Sequence, residues 1–155
     1  MVQPVSDEEL RGYAGKTLQP SQWHEITQDQ IDGFAEVTGD HQFIHVDPVR
    51  AAEGPFGATI AHGFLTLSLL ASLMPSDWPE LEDPGLSINY GLDKVRFLQP
   101  VVVNSRVRVQ TKILSVTEKR PREFRIRSQK TMEIEGNDKP AYIAIQLALL
   151  IGKNC

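Results

Sequence analysis

Residues 62–74 read His62-Gly63-Phe64-Leu65-Thr66-Leu67-Ser68-Leu69-Leu70-Ala71-Ser72-Leu73-Met74, and this stretch decides the fold because from Gly63 onward it is apolar nearly all round. A helix with that distribution has to be enclosed on most sides. Thr66, Ser68 and Ser72 interrupt it, and it is too short to cross a bilayer, so it reads as a core helix. Pro75, Pro79 and Pro84 then break the chain, and the pattern changes. From Leu86 onward it is strand-like, with Val107, Val109, Thr111 and Ile113 alternating against Arg106, Arg108, Gln110 and Lys112. Phe124, Ile126 and Ser128 continue the two-residue period, and Tyr142 to Ile151 is apolar on both faces, as expected of a central or interface strand. One enclosed helix followed by long strands without intervening helices implies an antiparallel sheet and an α+β layer architecture.

Upstream, Thr27 and Gln30 make a capping-box signal, Ile31, Phe34 and Ala35 recur at helical spacing, and Gly39 supplies a stop. Asp40 to Val46 carries no helical period, and Asp47-Pro48 has the chemistry that opens another short helix. Asp40 to His45 is therefore expected to connect two helices, where catalytic side chains tend to sit. Gly54, Pro55 and Gly57 mark an irregular loop before His62.

A chain of 155 residues with 41% hydrophobic content is expected to form one domain over residues 1–155. The net charge of −4 argues against a surface built to neutralise nucleic-acid phosphates. The single cysteine, Cys155, fits a reducing compartment, and Met1 to Leu10 lacks the basic patch and apolar run of a secretion signal. A cytoplasmic protein that neither binds nucleic acid nor inserts in a membrane is expected.

Gly39-Asp40-His41-Gln42-Phe43-Ile44-His45-Val46-Asp47-Pro48, followed by Ile60-Ala61-His62-Gly63-Phe64, resembles the MaoC-like dehydratases and R-specific enoyl-CoA hydratases, in the branch that holds the nodulation protein N relatives. Asn89-Tyr90-Gly91-Leu92-Asp93-Lys94-Val95-Arg96-Phe97 with Pro100-Val101 resembles that family's first long strand, and the likeness runs over about residues 23–151. The resemblance implies a hotdog fold, a long antiparallel sheet wrapped around the central helix and paired into a homodimer. It implies hydration of trans-2-enoyl thioesters, or dehydration of R-3-hydroxyacyl thioesters, with coenzyme A or an acyl carrier as part of the substrate and no separate cofactor. One departure is that many members carry Asn-Pro where this sequence has Gln42-Phe43.

The reaction needs a base for water, an acid for the alpha carbon and a donor for the enolate oxygen. The resemblance places Asp40 and His45 in the first two roles and the backbone N–H of Gly63 in the third. Histidine suits water activation because its ordinary pKa lies near working pH. We assign that step to His45 and proton delivery to Asp40, though the spacing itself leaves the division open. A carboxyl in that role needs burial to stay protonated. By spacing alone Asp40 reads rather as a turn residue and His45 as a partly buried histidine on a backbone group, because both types are common in loops, and Gly63 reads as well as simple helix-start packing. His62 could be no more than an N-cap.

Thr66, Ser68 and Ser72 are expected to bond back to carbonyls one turn earlier rather than line a tunnel. Lys94, Arg96, Arg106 and Arg108 read as a solvated face. No metal is expected: His41 and His45 with Asp40 and Asp47 lack the helix and glutamate of a zinc-protease motif. Two rivals stand beside the hydratase. A thioesterase typically carries its carboxylate on the central helix, where this chain has none between Gly63 and Met74. A non-catalytic acyl-thioester-binding subunit would keep the fold without turnover.

Overall fold

The strands β2 (Pro84–Phe97), β3 (Arg106–Arg120), β4 (Glu123–Ile134) and β5 (Tyr142–Gly152) form one antiparallel sheet, with the two-residue β1 (His24–Glu25) on its margin, in the order β1-β3-β4-β5-β2. The computed structural model describes residues 4–153, so Cys155 lies outside the described residues. Five short helices precede the long strands: α1 (Asp7–Arg11), α2 (Gln28–Thr38), α3 (Phe43–Val46), α4 (Pro48–Ala52) and α5 (Gly63–Ser68), the last continued by a 3-10 turn at Leu69–Ala71.

The alternating pattern does in the sheet what its period demands. Val107, Val109, Thr111 and Ile113 are buried, while Arg106 and Arg108 turn outward and pair with Glu135 and Glu133. Phe124, Ile126 and Ser128 are likewise buried. Tyr142 to Ile151 lies between β4 and β2, which makes β5 a central strand rather than an edge. The register sets Thr111 opposite Lys130 and Ser128 opposite Gln146, all four buried. That polar row crosses the inner face and separates two apolar clusters, one around Val107, Met132 and Tyr142 and the other around Ile113, Phe124 and Leu150. The Lys130 ammonium is satisfied by the Thr111 hydroxyl at 3.1 Å and by the Trp78 ring, 4.6 Å away. Burial lowers its pKa to about 8.

The helical region follows its local signals. Thr27 and Gln30 form the expected reciprocal cap on α2, and Gly39 ends it in the left-handed conformation at φ 78°. Asp47 caps α4, which begins at Pro48. A capping box at Ser6 and Glu9 starts α1, an element the periodicity did not single out.

The core helix departs from expectation in two respects. It has one α-helical segment of six residues before tightening, and the chain does not enclose it on most sides. Leu65, Thr66, Leu70 and Leu73 face the sheet and are buried, but Phe64 is 69% exposed. The neighbouring edge strand β2 leaves Leu86, Ile88, Tyr90, Leu92 and Phe97 exposed as well. The sheet therefore wraps one side of α5, and a continuous apolar surface remains on the other. Thr66, Ser68 and Ser72 bond back to the carbonyls of Gly63, Phe64 and Leu69, as the hydroxyl-bearing positions predict.

Candidate active site

The site is assembled where the turn after α2, the one-turn helix α3 and the start of α5 meet. His45 is not in an irregular connection, as the missing period implied, but inside α3. The segment before α5 holds α3 in place: Ile60 N–H donates to the Ile44 carbonyl at 2.9 Å and His45 Nδ1–H to the Ile60 carbonyl at 2.7 Å. From α2, Gln28 Nε2 donates to the His45 carbonyl at 2.8 Å, and the Thr59 hydroxyl donates to Gln28 Oε1. Residues 59–61 are themselves bonded to 101–103, so the loop is tied to the chain that follows β2.

These bonds decide what His45 can do. It is only 6% exposed, and with its Nδ1 proton committed to Ile60 the neutral ring presents Nε2 as a lone pair. His45 and Gly63 both line a pocket of about 390 Å3 that also includes Thr66, Phe97 and Ala141. Asp40 is outside that lining and exposed, so this chain does not by itself supply the burial expected of an acid. Its carboxylate accepts a long bond from the Gln42 N–H at 3.4 Å.

Gly63 begins α5, and the structure gives its lack of a side chain a second reason. A Cβ there would sit 3.1 Å from the Phe97 ring, closer than ordinary van der Waals contact. At the sequence departure, Phe43 opens α3 and its ring carries the Arg50 guanidinium at 3.9 Å, a contact that proline in the same place could not make. His41 points away to Glu36 at 3.7 Å and takes no part.

His62 is the site member that the spacing of Asp40 and His45 did not reveal. It occupies the N-cap position of α5 but makes no capping bond. Instead its ring, 3% exposed, stacks on His45 with centres 3.8 Å apart and planes 24° apart, and its Nε2 donates to the Asp40 carbonyl at 2.9 Å. The adjacent motif His62-Gly63 was the available signal. Asp40, His45 and His62 each offer a potential ligand atom within 4.8 Å of the others. The geometry does not fit a metal ion. Imidazole lone pairs point within the ring plane, and two nearly parallel rings stacked this way cannot both aim at one point about 2.0–2.1 Å distant.

A curled antiparallel sheet over a short helix, with an aspartate and a histidine gathered beside the start of that helix, defines a hotdog protein of the MaoC-like kind. The sequence matches the MaoC-like domain family over residues 10–135, and the chain belongs to that family. It is similar to 3-hydroxyacyl-thioester dehydratase Z of Mycobacterium tuberculosis, 47% identical over 136 residues that cover 88% of this chain and 89% of the relative. Nodulation protein N of Rhizobium leguminosarum bv. viciae is 46% identical over 138 residues, covering 88% and 85%. Among solved structures, the (R)-hydratase from A. caviae involved in PHA biosynthesis superposes with a TM-score of 0.69 at 22% identity over 86% of this chain and 95% of its own, a likeness of fold.

Proposed function

We propose that this protein is a hydro-lyase that adds water to trans-2-enoyl thioesters to give R-3-hydroxyacyl thioesters, or runs the reverse dehydration, within fatty acid metabolism. The observation that carries the reading is the state of His45: its Nδ1 proton is bound to the Ile60 carbonyl, and its ring lines the pocket shared with Gly63. Similarity to a 3-hydroxyacyl-thioester dehydratase over most of both chains supports the same reaction.

In that reaction His45 Nε2 takes a proton from water as its oxygen bonds to the beta carbon, and Asp40 delivers a proton to the alpha carbon. The elements of one water are thus added, and each group is reset by returning or taking one proton. The Gly63 N–H, at the start of α5, donates to the thioester oxygen as negative charge develops there. The substrate brings its own coenzyme A or acyl carrier, and no separate cofactor or metal enters.

The reading includes a homodimer. Phe64 on α5 and Tyr90 and Leu92 on β2 are apolar and exposed, and β2 presents an unpaired edge, so a second copy would cover both. It would also add burial around a site that leaves Asp40 exposed. We read residues 1–155 as one such domain, working in the cytoplasm; among the described residues no helix is long and apolar enough to cross a membrane. The thioesterase alternative has no support in α5, which carries no Asp or Glu.

The test is loss of enoyl absorbance on mixing purified protein with trans-2-enoyl-CoA substrates of increasing chain length, with the product's configuration determined. Turnover to the R-3-hydroxy product supports the proposal. Binding without turnover at every length would favour the non-catalytic subunit, and release of free coenzyme A would favour the thioesterase.

A further inference from the structure

We infer that His62 is the positioning residue of this site, holding Asp40 by its backbone and His45 by its ring. The inference rests on the proposed hydratase reading and deepens it. Three observations meet in one side chain. His62 Nε2 is 2.9 Å from the Asp40 carbonyl oxygen, and since a carbonyl only accepts, the proton of that bond belongs to Nε2. The ring lies face to face with His45 at 3.8 Å, while Phe34 of α2 packs on it at 5.0 Å and 51°. The next residue is Gly63, and the His62 carbonyl accepts the Thr66 N–H at 3.2 Å, which ties His62 into the first turn of α5.

Each contact sets a different coordinate. Asp40 is exposed, and among the described residues its carboxylate has only the long hydrogen bond from Gln42, so its own side chain does little to fix its place. The bond from His62 to its carbonyl anchors the residue to α5 across 22 positions of chain. The hydrogen bond from His45 Nδ1 to Ile60 holds one edge of the His45 ring, and the face of His62 packs against the plane of that ring. One ring therefore ties the Asp40 backbone, the His45 ring and the first turn of α5 to one another, an alignment that proximity catalysis requires.

The remaining nitrogen, His62 Nδ1, is buried without a hydrogen-bond partner among the described residues. That is the expected cost of the arrangement. Protonating Nδ1 would bury an unpaired N–H donor beside His45, so the bond to Asp40 selects the tautomer with the proton on Nε2 and the lone pair on Nδ1. The charged or titratable groups gathered at this ring are Asp40 from the turn after α2 and His45 from α3; α2 contributes the uncharged Phe34.

Two variants separate the contacts. His62→Phe keeps an aromatic face for His45 and removes the donor to Asp40, whereas His62→Gln keeps a donor at the Nε2 position and removes the face. Each should lower kcat on enoyl-CoA by about a hundredfold, the scale of losing alignment, with KM changed less than threefold and with the pH profile of kcat displaced. Imidazole nitrogen–proton NMR supplies a readout that needs neither activity nor substitution: in the wild-type protein His62 should carry its proton on Nε2. In either variant the His45 ring signals should move.

A folded His62→Phe and His62→Gln with unchanged kcat, pH profile and His45 signals would overturn the inference. So would a wild-type His62 protonated on Nδ1, a result that stands even if both variants fail to fold. Loss of turnover in Asp40→Asn and His45→Gln, beside full turnover in the His62 variants, would reject the inference and leave the hydratase reading intact. Absence of turnover in wild type would reject the reading, and the NMR measurements would then decide the positioning claim by themselves.

Discussion

The imidazole ring of His62 lies flat against that of His45, with centres 3.8 Å apart. The two residues are 17 positions apart in the chain, and they meet because the segment before α5 runs back along α3 through the Ile60–Ile44 and His45–Ile60 bonds. The contact couples the Asp40–His45 motif to the His62-Gly63 motif, so a change at the start of α5 is felt at the proposed base.

Gly63 tests the other side of that junction. An alanine Cβ would press on the Phe97 ring, which is only half-buried and can move, so the expected loss of stability is small, about 1 kcal/mol. The larger effect should be on KM, because Phe97 lines the same pocket as Gly63 and His45. Gly63→Ala should raise KM for an enoyl thioester several-fold, and adding Phe97→Leu should restore it. A Gly63→Ala protein with wild-type KM would contradict the packing argument.

Lys130 gives a pH signature of stability. Its pKa falls from 10.5 in the unfolded chain to about 8 in the fold, so between those values the unfolded state binds more protons. Stability therefore rises with pH from about 8 toward 10.5, and below pH 8 the full cost of burying the ammonium applies, about 3 kcal/mol at 1.36 kcal/mol per unit. The buried Tyr142, whose pKa is raised by burial, works oppositely above pH 10, so the informative range is pH 7 to 10. Lys130→Met should be more stable than wild type at pH 7 in urea titrations, and the advantage should shrink by pH 10. An equal difference at both pH values would refute it.

The exposed face of β2 predicts association. Tyr90→Lys places a charge on the free edge next to the groove that Tyr90 shares with Leu67 and Leu92. It should weaken a wild-type dimer at least tenfold, about 1.4 kcal/mol, as read by sedimentation. A wild-type protein that is monomeric at micromolar concentration would remove the proposed partner.

What the sequence made legible was local or periodic. The Thr27–Gln30 cap, the helix stop at Gly39, the Asp47-Pro48 helix start and the buried face of β3 all depend on neighbours within a few residues, and each is found in the structure. The family motif pointed to Asp40, His45 and Gly63, of which His45 and Gly63 line one pocket and Asp40 lies outside it. The role of His62 could not be read from spacing, because its partners lie 17 and 22 positions away. Lys130 was equally hidden, since a charged residue at a buried position of an alternating strand contradicts the very period that identifies the strand. The length of α5 was overestimated because an apolar run persists through the 3-10 turn, where the helix tightens without any change in hydrophobicity.

The central claim is that Asp40 and His45 together carry proton transfer in enoyl-thioester hydration, and the most direct measurement is kcat on trans-2-enoyl-CoA for Asp40→Asn, His45→Gln and the double variant. Asn keeps the shape of Asp40 without its titrating oxygen, and Gln keeps a polar group at 45 without the Nε2 base. Each single variant should lose about a hundredfold or more, on the scale of general acid–base catalysis. The double variant should be little worse than the poorer single one, because groups acting on one water fail as a unit. Either single variant, folded and as stable as wild type yet turning over at nearly the wild-type rate, would contradict the account.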